Sequence, residues 1–132
     1  MGQVVRVATS RRKQIVDLTA RVNELIRQAT LQEGLCSLFL PHTTAALTTG
    51  EVGEGTEDDL LDVVEQMIPK IRFRHAHDPA HAWSHMAASI LGASLSLPVK
   101  DGALALGAWQ SVLLVELDGP RHRDVHVMWS PS

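Results

Sequence analysis

The sequence predicts an α+β fold: a single domain over residues 1–132, built mostly of antiparallel β-sheet with two or three helices. Strand-like segments, in which apolar and polar residues alternate, outnumber segments with helical spacing. Short polar turns join many of the strand-like segments, which favours hairpins over alternating strand–helix units. A length of 132 residues is near the commonest size of one domain, and the chain shows no internal repeat, low-complexity segment or linker.

The N-terminal segments predict two strands and a helix. Residues 3–9 and 14–19 alternate around a polar turn, so the basic cluster at 11–13 is expected at the tip of a solvated hairpin. From Thr19 onward the apolar residues follow helical spacing, and Gly34 is the expected C-terminal stop of this helix.

The middle of the chain predicts two further strands and an acidic helix. Residues 35–40, LCSLFL, read as a buried strand that Pro41 ends, and AALTT after it as another strand. Cys36, the only cysteine, lies in the first of these strands and is expected to be a core residue, with no disulfide. Thr56 is the expected N-cap of a helix that Pro69 closes, with acidic residues in its first turn.

The C-terminal part predicts a loop, a helix and three strands. Residues 72–78 are loop-like, and a helix is expected from Pro79 to just before Gly92. The strand-like runs that follow are 94–99, 103–117 and 122–130.

The composition excludes several classes of function. The formal net charge of −3 gives no long-range attraction for nucleic acid, and the chain has no long Lys/Arg run. No window approaches about 18 uninterrupted apolar residues, and the N-terminus lacks the apolar segment of a secretion signal. We therefore expect a cytoplasmic protein that binds neither nucleic acid nor membrane.

Seven histidines in 132 residues are a surplus that suggests a metal site. They are His42, His75, His77, His81, His85, His122 and His126. Imidazole is the commonest protein ligand for zinc, and His81 and His85 stand four apart on a predicted helix, so they share a face. The HExxH pattern and paired cysteines are absent, so spacing alone leaves open whether the histidines bind a metal or are merely hydrogen-bonded or solvated. His126 alternates with apolar residues and is expected to face outward.

Two arginines follow a turn near the C-terminus. Arg121 and Arg123 come after Asp-Gly-Pro, and their planar guanidinium groups could clamp phosphate oxygens. They could equally pair with carboxylates of the acidic helix, and nothing local decides between the two.

Four motifs together resemble the YjbQ family. They are PHTTAALTTGE, FRH, SHMAASILGASLSLPVKDGALALGAWQ and VELDGPRHRDVHV, and they span about Leu35 to Val127. The resemblance implies a compact, largely antiparallel α+β protein that assembles as a homotrimer. It also implies a secondary thiamine-phosphate synthase activity, and some members are associated with zinc.

The resemblance also implies site residues. The divalent metal, expected to be zinc, would be held by His42, His75 and His85, with His81 as a further ligand or a neighbour of one. The predicted catalytic residues are Glu51, Gln110 and Asp59. The predicted residues for substrate or phosphate are Thr43, Thr44, Arg121, Arg123 and Trp109. The chain departs from the family at Gly50 and His81, where asparagine is usual.

Three functions follow as hypotheses. The first is a synthase that joins a pyrimidine diphosphate to a thiazole phosphate and releases pyrophosphate. The second is a metal-dependent hydrolase in which Glu51 is the general base for a metal-bound water. The third is a trimeric protein that binds a metal or a phosphorylated metabolite without turnover. In each, His42 lies where a buried strand ends because a strand end is a rigid support for a ligand-binding side chain.

Overall fold

The computed structural model describes residues 1–75 and 79–132. The strands are β1 (Gly2–Ala8), β2 (Gln14–Asp17), β3 (Gly34–Phe39), β4 (Ala45–Gly50), β5 (Ser94–Lys100), β6 (Ala103–Leu104), β7 (Ser111–Glu116) and β8 (His122–Pro131). The helices are α1 (Thr19–Gln28), α2 (Thr56–Met67) and α3 (Ala82–Leu91), the last preceded by a 3-10 turn at Pro79–His81. The predicted α+β class with mostly antiparallel sheet is confirmed.

The strands form two sheets. One has five strands in the order β1-β8-β3-β5-β6, and the other has three in the order β2-β7-β4. All of the pairings between described strands are antiparallel. Alternation fixes the faces of the larger sheet, so Val5 and its partner Val125 point inward while Val4 and His126 point outward.

The three-stranded sheet lies in the middle of the molecule. Val112 and Leu114 on one face of β7 pack with α1 and the inner face of the five-stranded sheet. Val115 on the other face packs against α2 and α3. Because both of its faces are covered, β7 is an almost continuous apolar run, and that pattern is typical of a fully buried strand.

The predicted hairpin at the N-terminus is wrong. β1 pairs with β8 in the larger sheet, whereas β2 pairs with β7 in the smaller one. The basic cluster therefore lies on a link between sheets, where Lys13 pairs with Glu65 of α2 and Arg12 lies over the ring of Trp83. Local alternation predicts a strand but not its partner.

Two predicted helix ends also need correction. α1 ends at Gln28, and the non-glycine residue Thr30 takes the left-handed conformation (φ 54°) soon after it. Gly34 instead opens β3, where a Cβ would lie 2.1 Å from the carbonyl oxygen of Ser130. The N-cap of α2 is Gly55 (φ 82°) rather than Thr56.

The predicted strand over residues 103–117 is two strands. β6 ends at Leu104 and β7 begins at Ser111, and Gly107 to Gln110 form a turn closed by a hydrogen bond from the Gln110 N–H to the Gly107 carbonyl. The loop over 72–75 and the outward orientation of His126 are as predicted.

Three links between the sheets meet at one end of the molecule. Residues 9–13 join β1 to β2, residues 40–44 join β3 to β4, and residues 117–121 join β7 to β8. The register places them together, because Ala8 pairs with His122 and Ala45 pairs with Glu116. The three links therefore form one end of the molecule.

Candidate functional site

A cleft of about 800 Å³ opens where the links meet. Its walls come from two of the links, the start of β8, the loop before residue 76 and the start of α3. The lining residues are Pro41, His42, Thr43, Thr44, His75, His81, His85, Asp118, Pro120, Arg121, His122 and Arg123. The structure thus brings together the three predicted metal ligands, both threonines and both arginines. His77 lies outside the described residues.

A buried ion pair borders the cleft. Glu116 is fully buried, and the Arg123 side chain is only 3% exposed. Arg123 Nε donates to Glu116 Oε1 at 2.9 Å, and Arg123 Nη2 donates to Glu116 Oε2. Nη2 also donates to the Thr44 hydroxyl, at 2.8 Å. The guanidinium is therefore held from two sides by fixed acceptors.

The Glu116 carboxylate also accepts hydrogen bonds from the neighbouring links. The Thr9 hydroxyl donates to its Oε1 at 2.7 Å, and the backbone N–H groups of Leu117 and Asp118 donate to its Oε2. The same Thr9 oxygen accepts from the Arg121 N–H at 2.9 Å. The buried Glu116 carboxylate on β7 is thus hydrogen-bonded to the backbone that leads to Arg121, both directly and through Thr9.

A second carboxylate, Asp118, orients two side chains of the cleft. Its Oδ1 lies 2.8 Å from His81 Nδ1, and its Oδ2 accepts from Arg121 Nη2 at 2.9 Å. Arg121 Nε donates to the Asp118 carbonyl at 2.7 Å, so the guanidinium is held at two points. Burial raises the pKa of Asp118, but the hydrogen bonds from Arg121 and His81 outweigh it and leave the pKa below its ordinary value.

Because Asp118 is ionised, it can only accept, so His81 Nδ1 carries the proton and donates the hydrogen bond. The basic nitrogen of the neutral imidazole is then Nε2. A carboxylate–histidine pair of this kind fixes the tautomer and the ring orientation.

His42 is held by the backbone of β8. Its Nε2 accepts a hydrogen bond from the Asp124 N–H at 2.9 Å. Burial lowers the pKa of His42, and the nearby charge of Arg123 lowers it further. The neutral ring therefore carries its proton on Nδ1 and offers a donor rather than a lone pair.

His75 and His85 lie side by side. Their ring centroids are 4.8 Å apart with an interplanar angle of 33°. The loop before residue 76 supplies the first ring and α3 supplies the second.

The contacts of these histidines bear on the predicted metal centre. No three His, Cys, Asp or Glu side chains within residues 1–75 and 79–132 are arranged to hold a metal ion. A metal binds imidazole through its unprotonated nitrogen, and in His42 that nitrogen already accepts from Asp124. As arranged, His42 has no lone pair left for a metal.

The remaining predicted residues lie away from the cleft. Glu51, Trp109 and Gln110 line a shallow groove of about 360 Å³ at the opposite end of β4 and β7, where Gln110 Nε2 donates to the Thr49 hydroxyl. Trp109 is 79% exposed. Asp59 is exposed on the first turn of α2 and lines neither cavity.

Sequence reasoning assigned no role to Glu116 or Asp118. A signal for Glu116 was present, because a carboxylate that interrupts the apolar run SVLLVEL is costly to bury unless it is paired. Asp118 offered no such signal, since Asp-Gly-Pro is an ordinary turn sequence.

A family model described as "UPF0047 protein YjbQ-like" matches residues 3–132. The chain belongs to the YjbQ family. A UPF0047 protein of Archaeoglobus fulgidus is 38% identical over 120 residues, covering 90% of this chain and 93% of that protein. The UPF0047 protein YugU of Bacillus subtilis is 29% identical over 96% of this chain and 97% of its own length.

Solved structures of YjbQ-like proteins share the fold. A YbjQ-like protein of unknown function from Sulfolobus solfataricus superposes with a TM-score of 0.92 at 32% identity, covering 100% of this chain and 97% of that one. A YjbQ/UPF0047 family protein from Clostridium acetobutylicum gives a TM-score of 0.88 at 30% identity, covering 97% and 99%. Among the described helices, none has the length and apolar character needed to cross a membrane.

Proposed function

We propose that the cleft is an active site for a small phosphorylated metabolite, with Arg121 binding a phosphoryl group and His81 transferring a proton. The observation that carries the proposal is the Asp118 carboxylate, which holds Arg121 with one oxygen and His81 with the other. The Asp118 side chain therefore sets the distance between a guanidinium that can bind an anion, in Arg121, and a basic nitrogen, in His81.

Arg121 suits a phosphoryl ligand. Asp118 occupies its Nε and Nη2, and the side chain remains 52% exposed in the wall of the cleft. A guanidinium keeps its charge at any physiological pH and donates in a fixed plane, which matches phosphate oxygens.

His81 suits general acid–base chemistry. Its Nδ1 donates to Asp118, so Nε2 is the nitrogen that takes up or releases a proton. The ionised Asp118 carboxylate stabilises the imidazolium that forms when Nε2 takes up a proton.

The reaction that we propose is of the thiamine-phosphate synthase type. The bond between the pyrimidine methylene carbon and its diphosphate breaks, the diphosphate leaves with the bonding electrons, and the thiazole nitrogen forms a bond to that carbon. Arg121 would stabilise the charge that develops on the leaving group, and protonated His81 would give its Nε2 proton to an oxygen of the departing diphosphate. Binding without turnover is the non-catalytic alternative.

Zinc is a second proposal, favoured by the 4.8 Å separation of the His75 and His85 rings. Bound zinc would supply a Lewis acid and an acidic water for hydrolysis. His42 would have to give up its hydrogen bond with Asp124 to join the zinc site. Elemental analysis of untagged protein and of His85→Asn tests this, since equal metal content in both would end the proposal.

We also propose a homotrimer in the cytoplasm, where phosphorylated metabolites are made. The outer face of the five-stranded sheet supports self-association, because large apolar side chains on it are nearly half exposed. They are Val4, Leu35, Phe39 and Met128.

Calorimetric titration tests the active-site proposal. Inorganic pyrophosphate is expected to bind the wild-type protein and to bind Arg121→Lys about ten- to a hundredfold more weakly, because a lost hydrogen bond to a charged group is worth about 1.5–3 kcal/mol. Arg27→Lys is the control, since Arg27 lies on α1 and pairs with Glu24. Equal affinities of the wild type and Arg121→Lys would end the phosphate role of Arg121.

Turnover separates the synthase from a binding protein. With a pyrimidine diphosphate and a thiazole phosphate, the wild type is expected to release pyrophosphate, and His81→Asn is expected to be at least about a hundredfold slower. Arg27→Lys, on α1 and outside the cleft, is the control and should match the wild type. Binding without product in the wild type would leave the metabolite-binding alternative.

A further inference from the structure

We propose that Glu116 is a positioning residue that fixes Arg123 so that one amino group, Nη1, forms an oxyanion subsite in the cleft. The subsite takes a phosphoryl or similar oxyanion group. The inference rests on the proposed function, because it adds to the site of Arg121 a second group that donates hydrogen bonds to an anion.

The hydrogen bonds of Arg123 show which of its donors remain. Glu116 and Thr44 occupy Nε and Nη2, and none of the hydrogen bonds of Arg123 in the described residues involves Nη1. A guanidinium has five N–H donors, so the two on Nη1 remain.

The position of Nη1 follows from burial. Every fully buried side-chain nitrogen or oxygen in the described part of the chain has a hydrogen-bond partner. Nη1 has none among those residues, so it must reach solvent, although the Arg123 side chain is only 3% exposed. Arg123 lines the cleft, and the cleft is therefore where Nη1 reaches solvent.

Stability gives little reason for this ion pair. Burying two charges costs several kcal/mol for each ion, and apolar replacements of similar volume are often neutral or stabilising. Here the surroundings are apolar strands, which could have accommodated such a replacement. A buried arginine with two donors at a cleft wall instead suggests an anion site whose geometry is set before the ligand arrives.

Glu116 also positions Arg121, the other arginine of the cleft. It accepts from the Asp118 N–H, and through Thr9 it is linked to the backbone N–H of Arg121. The positions of both arginines in the cleft thus depend on the buried Glu116 carboxylate.

Glu116→Gln separates positioning from simple charge balance. Removing a negative charge beside the cleft would strengthen anion binding if Glu116 were only a counter-ion. If Glu116 positions Arg123, the variant should bind inorganic pyrophosphate at least tenfold more weakly than the wild type. Glu65→Gln is the matched control, because it removes one carboxylate from a surface pair with Lys13 and should leave the affinity unchanged.

A measurement on the wild type covers the case in which Glu116→Gln does not fold. In wild-type crystals soaked with inorganic pyrophosphate, a phosphoryl oxygen is expected within hydrogen-bond distance of Arg123 Nη1. An anion held by Arg121 without Arg123, or tighter binding by Glu116→Gln, would overturn this inference and leave the proposed function intact. No pyrophosphate binding by the wild type would overturn both.

Discussion

Two carboxylates two residues apart, Glu116 and Asp118, each hold one arginine of the cleft. Both have pKa values below the ordinary range, because hydrogen bonds from arginine and other donors outweigh the effect of burial. Carboxylates of this kind stabilise the fold only while they are ionised. The stability of this end of the molecule is therefore linked to pH.

The pH dependence can be predicted from the sign of the shifts. A pKa lowered on folding contributes stability that is fully present above the unfolded value, about 3.9 for Asp, and is lost as the pH falls through the folded value. Asp118→Asn should therefore lower the free energy of unfolding by about 1–3 kcal/mol at neutral pH. Urea titrations should show the difference from the wild type shrinking in strong acid, and a difference that grows instead would contradict this account.

Cys36 illustrates a thiol that burial makes inert. It is fully buried in β3, and burial raises its pKa to about 11. We expect a thiol reagent such as DTNB to leave the native protein unmodified near pH 8 and to react at once in urea. Rapid reaction of the native protein would show that β3 opens far more often than its burial implies.

At the scale of the element, the links between the sheets decide where the site forms. The link from β7 to β8 includes Gly119, and a Cβ there would lie 2.2 Å from the Arg11 carbonyl oxygen and 2.9 Å from Glu116 Cγ. Two of the links therefore pack backbone against backbone, directly behind the buried ion pair. No side chain fits between them.

Gly119→Ala should consequently lower the free energy of unfolding by at least about 1–3 kcal/mol, the usual cost of overpacking. It should also weaken pyrophosphate binding, since Glu116 would have to move. Gly107→Ala is the control, because the nearest atom to its added Cβ is a side-chain oxygen at 3.7 Å. Thermal unfolding of the two variants checks the prediction, and equal melting temperatures would contradict it.

The sequence predicts more of the elements than of their arrangement. Alternation in β8 correctly predicts that His126 faces outward, because period two depends only on local geometry. The partner of β1 lies more than a hundred residues away in β8, and no local pattern encodes that pairing. The motifs include His42 and Arg121, which line one cleft. They also include Trp109, and no local pattern shows that it lies at the far end of the sheet.

At the scale of the whole molecule, one face of the five-stranded sheet remains uncovered by the described elements. Leu35, Phe39 and Met128 on that face are 45–48% exposed, while the opposite face is buried against the smaller sheet. Contiguous exposed apolar side chains are characteristic of an interaction surface.

We expect light scattering to give three times the chain mass of 14.4 kDa for the wild type at micromolar concentration. Replacing Leu35 and Met128 together by serine should shift the protein toward the monomer. Val63→Ser is the control, because Val63 is at least as exposed as Leu35 and Met128 but lies on α2. A monomeric wild type would refute the trimer, and an unchanged mass in the double variant would place the interface elsewhere.

The position of β8 between β1 and β3 has a consequence for synthesis on the ribosome. β1 leaves the exit tunnel before the other described strands, but it has no described neighbour other than β8, which emerges after all of them. The five-stranded sheet therefore cannot close until β8 has emerged, and the nascent chain carries Glu116 without its arginine until residue 123 emerges. Folding of the complete chain should take milliseconds to seconds, as for other proteins rich in long-range strand pairing.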